Sequence, residues 1–175
     1  MKIYIASSWK NELLVLKIKH MLETWGHELD AFCDSSSDRY VFHFSEIGPS
    51  DLLNAVNFLQ DERVQRAFKE DKKWLDWCEC CLLVLPAGNS AHLEGGYVKG
   101  TGKLLIIYRP VFPNGEFDVM YGFADLVTDD PTEIKTFLER FNVEQMPGHP
   151  REFCTCCDGY DGYDDECPIH GIDQY

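Results

Sequence analysis

The sequence predicts an α/β protein: a three-layer sandwich around a mainly parallel, five-stranded sheet, with a small cysteine-rich segment behind it. Three observations carry this expectation. Continuous apolar runs at 80–85 and 104–108 suit strands covered on both faces, as in parallel sheets. Stretches with helical periodicity separate the strand patterns, the alternation that builds a sheet with helices on both sides. From Pro147 onward the composition shifts to Gly, Pro, Asp, Tyr and Cys, too poor in apolar residues for a core of its own.

Taken in order, Lys2 to Ala6 reads as the first strand, and a loop at Ser7-Ser8-Trp9 leads into a helix from about Asn11 to Trp25. Leu14, Ile18, Met21, Leu22 and Trp25 recur at three- and four-residue spacings and form its apolar face. Gly26 stops this helix, and His27 to Phe32 alternates as a second strand, placed beside the first by a right-handed crossover. Asp34 to Asp51 is irregular, and Arg39-Tyr40-Val41-Phe42-His43-Phe44 is unusually aromatic for a loop. It reads as a lid or binding loop, or as aromatics that patch the core. Helices follow over Leu52 to Leu59 and Arg63 to Cys78.

The central strand is Cys80 to Leu85. Pro86 and Gly88 end it, and Asn89 or Ser90 can cap the next helix. Glu94 then sits about one turn past the carboxyl end of a central strand, where open α/β sheets bind ligands. The helix dipole there favours a carboxylate. Gly95 and Gly96 beside it leave room for a ligand or a second backbone. The alternative is a solvated first-turn glutamate with glycines at a packing contact. Gly100 and Gly102 close this helix, Leu104 to Tyr108 is a further buried strand, and 109–115 is a turn-rich loop. Asp118 to Phe123 reads as a short helix, Asp125 to Thr128 as an edge strand, and Pro131 to Phe141 as the last helix. The whole is a flavodoxin- or Rossmann-like arrangement over residues 1–146, with 147–175 as a tail.

Size and charge exclude some functions. At 175 residues the chain can bury one good core. A net charge of −14, with no basic run, argues against nucleic acid as a partner. No apolar run spans a bilayer and the opening residues carry no leader pattern, so no membrane partner and a cytoplasmic location are expected. In that compartment structural disulfides are not expected among the eight cysteines. Cys33, Cys78, Cys80 and Cys81 read as small buried apolar residues.

The tail differs. Cys154-x-x-Cys157, followed after nine residues by Cys167-x-x-His170, offers two chelating pairs. Three thiolates and an imidazole make a tetrahedral structural zinc site, and the metal would supply folding energy that the acidic segment lacks. Cys156 is a spare that could replace Cys154 or Cys157. Four protein ligands leave no open position, so no catalytic cofactor is expected.

Several stretches together resemble the nucleoside 2-deoxyribosyltransferase-like family, in its bacterial and phage branch. They are Ile3-Tyr4-Ile5-Ala6-Ser7-Ser8-Trp9, Asp71 on the helix before the central strand, Leu83-Val84-Leu85-Pro86 running into Ser90-Ala91-His92-Leu93-Glu94-Gly95-Gly96-Tyr97, and Asp118-Val119-Met120-Tyr121. The resemblance covers about Lys2 to Phe141 and leaves the tail outside. It implies Glu94 as nucleophile, Tyr4 as the residue orienting it, and Asp71 as the group engaging the nucleobase. It places Asn89 and Ser90 where the 5′ end of the sugar is held, and Met120 and Tyr121 where a neighbouring subunit's site is completed. A homo-oligomer is therefore expected, with a small nucleoside or nucleotide as substrate.

The chemistry fits these residue types. An N-glycosidic bond breaks through an oxocarbenium-like state that a carboxylate can stabilise or capture at C1′. An aspartate of raised pKa can protonate or hydrogen-bond the departing base. Trp9 could stack on the base and His92 could line the pocket. The expected activity is transfer to a second base or hydrolysis by water. The alternatives are a glycohydrolase acting on an NAD-type dinucleotide, and a non-catalytic nucleotide-binding module.

Overall fold

The computed structural model describes residues 1–34, 39–42, 55–116 and 118–144. The chain divides into two units, Met1–Leu138 and Glu139–Tyr175. The expected boundary after residue 146, the start of the helix expected from Leu52, most of the aromatic loop and the four tail ligands lie outside the described residues.

The first unit is the expected sandwich. Its elements are β1 (Lys2–Ala6), α1 (Glu12–Thr24), β2 (Glu28–Ala31), α2 (Ala55–Gln60), α3 (Glu62–Trp77), β3 (Cys80–Val84), α4 (Asn89–Gly100), β4 (Leu104–Tyr108), β5 (Leu126–Thr128) and, up to Leu138, α5 (Pro131–Glu144). The strands run in the order β2-β1-β3-β4-β5, and every pairing is parallel. Strict alternation along the strands sorts the core into two layers. Ile3, Ile5, Leu82, Val84 and Ile106 face Val15, Ile18 and Leu22 of α1 and Ile134 and Leu138 of α5. Tyr4, Ala6, Cys81, Leu83, Leu105 and Ile107 face Leu75 of α3 and Ala91 and Val98 of α4. β3 is buried along its whole length, as its continuous apolar run requires.

The differences from expectation are local. Val15 belongs to the buried face of α1, beside Ile18 and Leu22, and a 3-10 turn at Trp9–Asn11 precedes that helix. Gly26 ends the α1 region at φ 85°, the left-handed backbone that glycine tolerates. Neither Asn89 nor Ser90 caps α4. Gly88 takes the cap position in extended conformation, and no side chain caps the helix. The segment 119–123 is a 3-10 turn rather than an α-helix. Cys33, Cys78, Cys80 and Cys81 are buried and free. Burial pushes the Cys33 and Cys78 thiols up to about 11, so neither is a thiolate near neutrality.

Gly95 and Gly96 have separate roles. A Cβ at Gly95 would stand 3.1 Å from Leu105 Cδ1 and 3.9 Å from Leu83 Cδ2, so this glycine lets α4 lie close on the sheet. Gly96 has nothing within 4 Å of its virtual Cβ. Gly95→Val is therefore expected to destabilise by about 1–3 kcal/mol through overpacking. Gly96→Ala should stabilise by about 0.5–1 kcal/mol through helix propensity. Urea melts of the two variants check the pair.

Candidate active site

The strand order places the site. The chain leaves β1 toward β2 and later returns to build β3 on the other side, so the crevice at the carboxyl ends of β1 and β3 is the switch point of the sheet. The loops there are stitched together. Ser7 Oγ donates to the Val84 carbonyl at 2.7 Å. Asn11 Nδ2 donates to Ser7 Oγ at 3.0 Å and to the Pro86 carbonyl at 2.7 Å. A pocket of about 360 Å³ opens on this frame. Ser7, Ser8, Trp9 and Lys10 line it from the β1 loop, Arg39, Tyr40, Val41 and Phe42 from the loop after β2, Asp71 from α3, and Gly88, Ser90 and Glu94 from α4.

Three of the residues singled out in the sequence meet here. Tyr4 is fully buried in the middle of β1, on the face covered by α3 and α4. Burial, with the Asp71 charge adding to it, pushes Glu94 up to about 7 while the Tyr4 hydroxyl pulls the other way. Burial also raises Asp71, against the pull of Arg39, and holds the Tyr4 phenol well above its usual range.

Trp9 and Ser90 line the pocket as expected; Asn89, Met120 and Tyr121 are not among its lining residues. Met120 is 57% exposed. The Tyr121 ring stacks at 6.5 Å on His92, whose Nδ1 lies 2.9 Å from the Gly88 carbonyl. His92 thus braces the start of α4 instead of lining the pocket.

Two charged residues escaped the sequence reading. Arg39 is buried and forms ion pairs with both Asp30 and Asp71, with its guanidinium 5.6 Å from the centre of the Tyr4 ring. Asp30, on β2, is buried as well and is pushed up to about 7 by that burial, with Arg39 opposing. The available signals were an acid, Asp30, set between Leu29 and Ala31 in its strand, and a cation opening an aromatic run. A buried charge requires a partner of opposite sign.

A second cavity of about 550 Å³ adjoins the first and shares Phe42, Ala67, Asp71, Ser90 and Glu94 with it. Its remaining walls are mainly apolar, among them Phe58, Leu59, Phe68 and Leu93. Among the described residues no group of three or more His, Cys, Asp or Glu is arranged to hold a metal ion. No helix among them is long and apolar enough to cross a membrane.

No protein-family model and no curated protein matches this chain. Solved structures do. One is the 2-deoxyribosyltransferase of the psychrotolerant bacterium Bacillus psychrosaccharolyticus, 16% identical, with a TM-score of 0.58 over 77% of this chain and 90% of that one. Another is the CMP N-glycosidase BcmB of Clostridium botulinum, 14% identical, with a TM-score of 0.46 over 79% of this chain and 99% of that one. The chain therefore has a nucleoside 2-deoxyribosyltransferase-like fold.

Proposed function

We propose that this chain is an enzyme that cleaves or transfers the N-glycosidic bond of a (deoxy)nucleoside or its monophosphate, with Glu94 as nucleophile. One observation carries the reading: Glu94 lines a pocket at the switch point of the sheet, held by a buried phenol, with Asp71 lining the same pocket. The shared fold supports it.

The Glu94 carboxylate attacks C1′ as the C1′–N bond breaks, and the electron pair of that bond leaves with the base. Asp71 gives the base a proton or a hydrogen bond as negative charge develops on it. The product of this half is a glycosyl ester on Glu94. A ring nitrogen of a second base, or water, then attacks C1′ and releases the carboxylate. The proton lost by that attacking group goes to Asp71 where Asp71 has given its own to the base, and otherwise to the departing base itself. Tyr4 keeps the attacking oxygen oriented and stabilises the carboxylate as it leaves. Trp9 offers a flat apolar wall for the base, and Ser90 a hydroxyl for the sugar.

Incubation with deoxynucleosides, deoxynucleotides or NAD, each with and without an acceptor base, tests the proposal by product chromatography. Free base, or a new nucleoside when acceptor is present, is the expected result. Release of nicotinamide from NAD alone would move the activity to dinucleotides, and no release from any substrate would reject it.

In the same reading Met120 and Tyr121 serve the site of a neighbouring copy, and the exposure of Val119 at 85% and Met120 at 57% is in keeping with that. The tail is proposed to bind one structural zinc through Cys154, Cys157, Cys167 and His170, on the donor spacing alone. Metal analysis should return about one zinc per chain, falling when Cys154 and Cys167 are replaced by serine. Substoichiometric zinc that is indifferent to those replacements would contradict it.

A further inference from the structure

We propose that Arg39 is the positioning residue of this site, fixing the orientation of Asp71 and setting the charge balance around Tyr4 and Glu94 from a single guanidinium. The inference rests on the reading of Glu94 as the reacting carboxylate. Its basis is geometric. The Arg39 side chain is 1% exposed and pairs with the Asp30 carboxylate, 2% exposed, on one side. On the other side it pairs with one carboxylate oxygen of Asp71, whose side chain is 38% exposed toward the pocket. Its guanidinium also lies 5.6 Å from the centre of the Tyr4 ring, and it lines the same pocket as Glu94.

A guanidinium has five N–H donors and no acceptor. It can therefore engage Asp30 and Asp71 at the same time while lying beside the Tyr4 ring. Asp71, with one oxygen engaged by Arg39, keeps the other for the base. Asp30 lies beside Tyr4 on the neighbouring strand and is not among the residues lining the pocket. Its place is on the far side of the guanidinium, where it holds the fork in register from β2.

The charge balance makes the same residue decisive for protonation. Glu94 is faced by Tyr4 from β1, Asp30 from β2, Arg39 from the following loop and Asp71 from α3. The Cys81 thiol on β3 also lies within its field, and Glu70 acts on Asp71. Arg39 is the cation among these groups. Without it the cluster retains its acids and loses its positive charge.

The test compares Asp30→Asn with the double variant Asp30→Asn/Arg39→Gln, so that the fully buried Asp30 carboxylate is not stranded by loss of the cation. Arg39→Lys in the natural background serves as a second probe. In substrate-free protein, the carboxyl 13C resonance of Glu94, assigned by its loss in Glu94→Gln, is titrated by NMR. The midpoint is expected to rise by about one pH unit or more from the single to the double variant. Arg39→Lys, which keeps the charge but not the fork, should fall between wild type and that value. The acid limb of kcat/KM should move by the same amount. Equal midpoints in two folded variants would overturn the proposal whether or not the protein turns over any nucleoside. A moved midpoint with an unmoved acid limb would support the role of Arg39 and contradict Glu94 as the titrating nucleophile.

Discussion

Glu94→Gln is expected to lower kcat by at least about 10³-fold while leaving nucleoside binding nearly unchanged. The amide is isosteric with the carboxylate, so pocket shape and the setting of the buried phenol are preserved. What it loses is the negative charge that meets the forming oxocarbenium and the lone pair that bonds to C1′. A loss of that size in kcat, with ligand affinity held within about threefold, marks an interaction made only in the transition state. Turnover and calorimetric binding, measured on the same preparations, separate the two parameters. A variant that works at the wild-type rate would remove the mechanism.

The same variant should be more stable than the wild type at pH 8, and the difference should vanish toward pH 4. Glu94 is pushed up to about 7 by burial, from an ordinary value of 4.5. Between these two values the folded state binds more protons than the unfolded state. Stability contributed by this group is thus complete below about pH 4.5 and is lost as the pH rises through about 7. The shift corresponds to about 3 kcal/mol of penalty on the ionised folded form. Removing the titratable group at pH 8 should then raise Tm by roughly 6–12 °C in a chain of this size. Asp30 and Asp71 are shifted in the same direction and add to the slope of both proteins, so the difference between wild type and variant isolates Glu94. Thermal melts from pH 4 to 8 decide it, and parallel curves for the two proteins would contradict the placement of Glu94. The same titration sets the kinetics: kcat/KM should rise with pH to a limb near 7 as the free carboxylate forms.

Such a penalty is expected of a working site, where stability is given up to keep a reactive group ready. It also explains what the chain discloses on inspection. The strands were legible because a parallel sheet covered on both faces leaves unbroken apolar runs, as at Cys80–Val84. Glu94 was legible because it stands one turn beyond such a run, and Tyr4 and Asp71 because their settings match a family pattern. Arg39 was hidden, since a cation in an aromatic loop reads as solvated until the fold brings Asp30 and Asp71 to its two sides. Nothing local in the sequence encodes that meeting across β2 and α3. The cap of α4 was misplaced by one or two residues because cap preference ranks Asn and Ser ahead of glycine. Here the extended backbone at Gly88 took the position without a capping side chain. Gly95 was ambiguous for a related reason: a ligand and a leucine on the next strand both call for a missing side chain, and only the 3.1 Å approach of Leu105 separates them.

The most direct measurement is to trap the glycosyl ester. A nucleoside carrying fluorine at C2′ slows the release of the sugar from its covalent carrier more than its attachment, because the electron-poor ring resists the oxocarbenium-like state of the second step. Intact-mass analysis after incubation should show one added fluorinated sugar per chain, and peptide mapping should place it on Glu94. An adduct on another residue, or steady release of base with no adduct at any time, would contradict Glu94 as the nucleophile.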